Sequence, residues 1–312
     1  MRALTAGEIR GTWATVLTPF RDDDGLDLGR LEQELDVLLD ARPQGVYTHG
    51  TAGEFFNQTE GEWDLVVAAV AERCTAAAVP FQLGASHPSP VIAVDRVRRA
   101  RRWEPSAIQV VLPSWLPLNR SEIRDCLRMY AAAAEGIGLV LYNSPHSKNA
   151  LGASSLAALC DDLPELVGVK TSDGDAAWYL AMRPVMERVS VFVPGHHLAT
   201  GLSSGASGAY SNIACLSPAG AVEWGEKSIA DPAWGIEVER DVTLFMAEGV
   251  GPLRDRGYSA LTIDKALATA GGFFGEIGRV RSPYSTATSD EIARLRSAAY
   301  RLLPEFLHPR AA

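Results

Sequence analysis

Short β-branched or apolar runs alternate with longer amphipathic ones along most of this chain, and that rhythm limits its fold more than any other feature. The candidate strands are TWATVLT (12–18), GVYTHG (45–50), PFQLGAS (80–86), SAIQVVL (106–112), GLVLYN (138–143), LVGVKT (166–171), VSVFVPG (189–195) and GAYSNI (208–213). Helical patterns lie between them at 28–41, 60–78, 88–102, 120–135, 152–162 and 174–188. In the fourth of these, Ser121 is placed to cap the start and Gly136 to end it. Strands separated by helices of this length imply βαβ units and a parallel sheet. About eight such units fit a (β/α)₈ barrel better than an open doubly wound sheet. No GxGxxG follows the first strand, where a dinucleotide site in an open sheet would need it. After residue 231 the pattern is helical only, at 234–248, 257–274 and 289–304. The expected organisation is therefore a barrel over 1–231 and a helical region over 232–312.

Charge and cysteine usage exclude several function classes. A formal net charge of −9 argues against a nucleic-acid-binding surface, which needs clustered Lys and Arg. The densest basic run, DRVRRARRW (95–103), has helical spacing and reads as a solvated helix face. Cys74, Cys126, Cys160 and Cys215 stand far apart among apolar residues, with neither disulfide nor zinc spacing. The first residues lack the apolar stretch of a signal peptide, and no window approaches a membrane span, so the expected setting is the cytoplasm.

In a barrel of this kind chemistry gathers where the strands end. One strand end holds Lys170, one of only four lysines among 29 basic residues. A lysine amine can attack a ketone and form an iminium, which arginine, always protonated, cannot do. Burial among Leu166, Val167 and Val169 is expected to lower its pKa from about 10.4 toward roughly 7–8. The alternative is an ion pair with Asp173 or Glu54. Tyr142 ends the preceding strand, and its phenol can move protons onto and off the carbinolamine. The turn GTAGE (50–54) is the third element: Gly50 and Gly53 permit tight or left-handed backbone, leaving amides free for a small anion. Thr51 adds a hydroxyl within possible reach of the tyrosine.

VLTPF (16–20), GTAGE (50–54), LYNSP (141–145), GVK (168–170) and GASGAYSN (205–212) resemble, in order and spacing, the dihydrodipicolinate synthase / N-acetylneuraminate lyase family. The resemblance runs over nearly the whole chain. It implies a (β/α)₈ barrel with a C-terminal helical region, assembled as a tetramer or dimer, and a class I aldolase without metal or other cofactor. The covalent carrier would be an imine between lysine and pyruvate or another 2-oxo acid. By motif, Lys170 resembles the imine lysine, Tyr142 the proton shuttle and Thr51 the relay hydroxyl. The amides of Thr51 and Ala52, beside Gly50, would hold the substrate carboxylate. Gly195, Tyr210 and Asn212 fall where the family lines its pocket.

The departures concern the second substrate. The family's carboxylate-binding turn usually carries two hydroxyls, and here the second position is Ala52. Dihydrodipicolinate-forming members place a tyrosine after strand four, where this chain has Trp115. They also place an arginine after the catalytic tyrosine, where this chain has Ser147 between His146 and Lys148. These differences argue against the lysine-pathway reaction. An indole favours a flatter acceptor, similar to the hydratase-aldolase branch acting on aromatic pyruvate adducts. His146, Lys148, His196 and His197 are candidates for contact with the variable half of the substrate. Adjacent His196 and His197 point different ways and do not make a metal set. The expected activity is an imine-forming lyase joining or cleaving a 2-oxo acid and an aldehyde-type partner. A sugar-acid dehydratase working through the same imine is the alternative, and a non-catalytic 2-oxo-acid sensor is the reading from another class.

Overall fold

The computed structural model describes residues 1–277 and 279–308. Its eight strands are β1 (Gly11–Thr15), β2 (Gly45–Tyr47), β3 (Phe81–Gly84), β4 (Ala107–Val110), β5 (Leu139–Asn143), β6 (Leu166–Thr171), β7 (Ser190–Pro194) and β8 (Gly208–Ser211). Each pairs in parallel with the next and β1 closes on β8, giving a complete barrel. All eight expected strands are present, several ending earlier than their apolar runs because the chain there leaves the sheet for the loops at the mouth. Six helices follow the strands as the spacing predicts: α1 (Leu28–Asp40), α2 (Glu60–Ala76), α3 (Pro90–Ala100), α4 (Arg120–Ala134), α5 (Ala153–Asp162) and α6 (Ala176–Met186). The short α7 (Leu198–Ser203) and α8 (Pro218–Ala230) complete the ring.

Beyond the barrel lie α9 (Pro232–Phe245), a π-helical turn over Met246–Val250, α10 (Gly251–Asp255), α11 (Ala260–Gly271), α12 (Ser289–Leu302) and α13 (Pro304–Leu307). No helix is long and apolar enough to cross a membrane, among the described residues.

Two local expectations are corrected. The cap of α4 is Asn119, whose side chain accepts from the Glu122 amide while Glu122 reaches back, so Ser121 already lies within the helix. The basic run on α3 is not wholly a solvated face. Arg96 is fully buried, donating to Glu60 and to the carbonyls of Ser86 and Phe55. A guanidinium has five donors, and here protein acceptors replace the water it has lost.

Two apolar layers hold the barrel. The larger lies between sheet and helices. The smaller fills the barrel interior with Trp13, Tyr47, Ala107, Val140, Val167, Phe192 and Tyr210 from seven of the strands and with Ile9 just before β1. Polar groups cross this interior in a chain: Tyr210 donates to Gln82 (2.5 Å), Gln82 to Gln109 (3.4 Å), and Gln109 to the His49 carbonyl (3.3 Å). Buried amides paired this way avoid the cost of lost hydration and give the site above them a fixed floor.

Candidate active site

Lys170 and Tyr142 sit opposite each other in the β5–β6 register, at the ends of their strands. A register shift between Leu139 and Val140 precedes this pairing. Both side chains therefore enter the barrel mouth at the same height. The Lys170 Nζ lies 4.1 Å from the centre of the Tyr142 ring, 4.8 Å from that of Tyr47 and 5.6 Å from that of Tyr210. It also donates to the Tyr47 hydroxyl at 3.4 Å. Three phenol rings thus surround the amine, and their faces favour a cation.

That cage changes the expected acidity. Burial pulls the pKa of Lys170 down, but Tyr47 and Tyr142, with Asp264 adding, outweigh it, and the amine stands above the ordinary lysine value. The depression expected from an apolar strand end is absent because the mouth is lined by phenols rather than by aliphatic side chains. Burial in turn raises Tyr47, with Lys170 opposing, and raises Tyr210 well above the usual phenol range.

The ion-pair alternative for Lys170 fails on geometry. Glu54 pairs with Lys265 at 2.5 Å, and Asp173 accepts from the Tyr179 hydroxyl at 3.3 Å and lies 3.7 Å from His197.

Thr51 and Tyr142 hydroxyls are 3.0 Å apart, so the turn after β2 meets β5 across the mouth. The glycines of that turn serve space rather than left-handed backbone. The residues with positive φ are His49 (54°) and Glu54 (50°). A Cβ on Gly50 would lie 3.0 Å from the Tyr47 ring and 3.5 Å from the Lys170 Nζ, and one on Gly53 3.0 Å from the His49 amide nitrogen.

A cavity of about 210 Å³ opens above Lys170. It gathers Tyr47, Thr51, Ala52, Tyr142, His146, Thr171, Ser172, Tyr210, Asn212 and, from α11, Asp264 around the amine. Trp115, Lys148, Gly195 and His196 stand outside this lining. Trp115 is 81% exposed, and Lys148 donates to its carbonyl at 3.1 Å while lying 5.7 Å from its ring, so the two form a loop contact. His196 acts at one remove, its ring nitrogen 3.2 Å from the Asn212 side-chain oxygen. Burial, with His197 adding, lowers its pKa to about 4 and keeps it neutral. Gly195 lets β7 approach β8, since a Cβ there would lie 2.5 Å from the Ser211 hydroxyl. Sequence reasoning missed Tyr47 and Asp264. The first looked like a strand residue. The second lies in a helix far along the chain, and its only signal is a charged pair, Asp264–Lys265, inside an apolar helix.

A closed parallel barrel with one lysine at its mouth among hydroxyl groups is the layout of a lyase of the class I aldolase type. The chain belongs to the dihydrodipicolinate synthetase family, whose profile matches residues 8–226. It is 31% identical over 212 residues to an uncharacterized DapA-like lyase of Halobacterium salinarum, covering 67% of this chain and 69% of that protein. It is 27% identical over 182 residues to an N-acetylneuraminate lyase of Escherichia coli, covering 54% of this chain and 57% of the lyase. Among solved structures, a putative dihydrodipicolinate synthetase from Pseudomonas aeruginosa superposes with a TM-score of 0.82 at 23% identity, covering 96% of this chain and all 100% of the other. A prophage protein of the dihydrodipicolinic acid synthase family from E. coli K12, in complex with pyruvate, gives 0.81 at 18% identity, with 94% and 98% covered. At these identities the structural likeness speaks for the fold.

Proposed function

We propose that the protein carries a 2-oxo acid, pyruvate first among them, as an imine on Lys170 and makes or breaks a carbon–carbon bond beside it. The observation that supports this most is the position of the Lys170 amine, ringed by three phenols at the floor of a small cavity. The amine rests as an ammonium and must shed a proton before it attacks. It then adds to the ketone carbon, the carbonyl oxygen becomes a hydroxyl, and water leaves as the C=N bond forms. Tyr142, hydrogen-bonded to Thr51, is the group placed to deliver and remove those protons. The amides of Thr51 and Ala52 would receive the carboxylate, in chemistry that draws on no cofactor because the substrate is bound to the protein itself.

The acceptor is an aldehyde-type partner. Thr171, Ser172, Asn212 and His146 supply polar groups to a lining that is otherwise largely apolar, and the exposed Trp115 gives no support to an aromatic acceptor within one chain. The same reading takes the enzyme to be a homo-oligomer, dimer or tetramer. Trp115 and Leu116, exposed side by side near the mouth, are the apolar surface that favours it. Four free thiols suit a reducing compartment such as the cytoplasm.

Borohydride reduction in the presence of pyruvate tests the imine. Mass spectrometry should find the reduced adduct on the peptide carrying Lys170, and Lys170→Arg should give none. Absence of any adduct from the wild-type protein, with pyruvate and longer 2-oxo acids alike, overturns the reading.

A further inference from the structure

We propose that Asp264 is the acid–base residue of the bond-making half of the reaction, exchanging a proton with the hydroxyl on the carbon that joins the lysine-bound enamine. The inference rests on the imine reading above and adds a residue to it.

Three features of the fold support it. Asp264 is the one carboxylic acid among the residues lining the cavity that holds Lys170, Tyr142 and Thr51. Its carboxylate is occupied by no hydrogen bond among the described residues and is partly open to that cavity. Its position is fixed by its neighbour. Lys265 reaches back from α11 to the Glu54 carboxylate at 2.5 Å, the Thr18 carbonyl at 2.7 Å and the Arg279 carbonyl at 2.6 Å. Successive helical side chains diverge by about 100°. With Lys265 locked under the turn after β2, Asp264 is turned toward the mouth. A buried anchor of this kind holds a reacting group in place better than a loop does.

The chemistry balances without a further reactant. In the joining direction the enamine carbon donates its electron pair to the aldehyde carbon. The carbonyl oxygen then takes a proton from the Asp264 carboxyl, and water later frees Lys170 from the iminium. In the cleaving direction the Asp264 carboxylate takes the hydroxyl proton, the carbon–carbon bond breaks, and its electrons pass to the iminium nitrogen. Burial lifts the Asp264 pKa to about 7, with Lys170 and Arg254 opposing, so the group can both give and take a proton near neutrality. The other titratable groups that feel it are Tyr47 on β2 and the buried Cys215 after β8, and His146 shares its cavity. Tyr142 and Thr51 are hydrogen-bonded to each other beside the lysine, and Asp264 reaches the same cavity from the helical region.

The test separates the two halves. Trapping of pyruvate on Lys170 by borohydride reports the first, and product formed from pyruvate with glycolaldehyde or D-glyceraldehyde reports the second. With each protein at the pH where it traps best, Asp264→Asn should trap pyruvate within about 3-fold of the wild-type rate but form product roughly 10²–10⁴-fold more slowly. It should also lose the limb near pH 7 from the product-forming profile, and Asp264→Glu should recover part of the activity. Product formation by Asp264→Asn within about 3-fold of wild type overturns the proposal, as does loss of trapping in a folded variant. A wild-type enzyme that traps pyruvate yet joins it to neither aldehyde overturns it too. If the variants do not fold, the wild-type profiles decide. A limb near pH 7 in product formation but not in trapping supports the role, and its absence removes it. A wild-type protein that traps no 2-oxo acid is a different failure, that of the lysine reading.

Discussion

Glu54 and Lys265 form an ion pair of 2.5 Å with neither side chain exposed to solvent. It joins the turn after β2 to α11 and so locks the helical region onto the barrel mouth. Lys265 is held further by two carbonyls, which lessens the cost of burying its charge. Removing one partner alone, as in Lys265→Met, should destabilise the fold by about 3–5 kcal/mol because Glu54 is left buried and unpaired. The paired variant Glu54→Gln/Lys265→Met should recover a large part of that loss. Urea denaturation of the two proteins measures both effects, and equal stability of single and paired variants would contradict the account.

The 3.0 Å contact between Thr51 and Tyr142 makes a second expectation. On the proposed mechanism, Tyr142→Phe removes the phenol placed to move protons during imine formation and should slow pyruvate trapping by about 10²–10⁴-fold. Thr51→Val leaves that phenol in place but unoriented and should cost less, while Thr51→Ser should stay near wild type. Equal rates for Tyr142→Phe and the wild type would place the proton path elsewhere.

Much of this site was legible because strand period and strand ends are local features. Lys170, Tyr142 and Thr51 could each be put at a barrel mouth from the runs preceding them. What escaped depends on packing across the fold. Helix α8 was not anticipated because Pro218, Gly220 and Gly225 dilute its apolar pattern. Those glycines answer close neighbours: a Cβ would lie 2.0 Å from the Phe306 carbonyl oxygen at Gly220 and 2.5 Å from the Thr12 hydroxyl at Gly225. Asp264 enters the site only because Lys265 finds Glu54, a pairing that no spacing announces. The acidity of Lys170 was misjudged for the same reason. Its apolar neighbours in sequence are not its neighbours in space, which are Tyr47, Tyr142 and Tyr210.

The phenol cage itself makes a pH prediction. Tyr47, through its hydroxyl and its 3.4 Å contact, is the largest influence raising the Lys170 pKa, against burial, which lowers it. Removing its hydroxyl in Tyr47→Phe leaves burial less opposed, so the amine should lose its proton at lower pH. The rise of pyruvate trapping with pH should therefore shift toward acid in this variant, with the ring face still present. A shift toward alkali, or none, in the trapping profile would show that the Tyr47 hydroxyl does not govern the amine.

His49 sets a stability expectation of definite sign. Its ring is buried, with Nδ1 2.7 Å from the Thr48 hydroxyl and Nε2 3.2 Å from the Gln58 side-chain oxygen. Burial, with Arg96 adding and Gln58 opposing, lowers its pKa from 6.5 to about 3. The folded protein therefore refuses a proton that the unfolded chain accepts. The stability His49 contributes is complete above pH 6.5 and drains as pH falls toward 3. Asp264 acts in the opposite sense, since its folded value of about 7 lies above its ordinary 3.8. The informative quantity is thus the difference between the wild type and His49→Gln, in which Asp264 cancels. That difference should fall by up to about 1.4 kcal/mol for each pH unit below 6.5, because the variant has no imidazole to protonate on unfolding. Urea midpoints of both proteins at pH 7, 5.5 and 4.5 would show it, and a difference independent of pH would mean that the folded site accepts the proton after all.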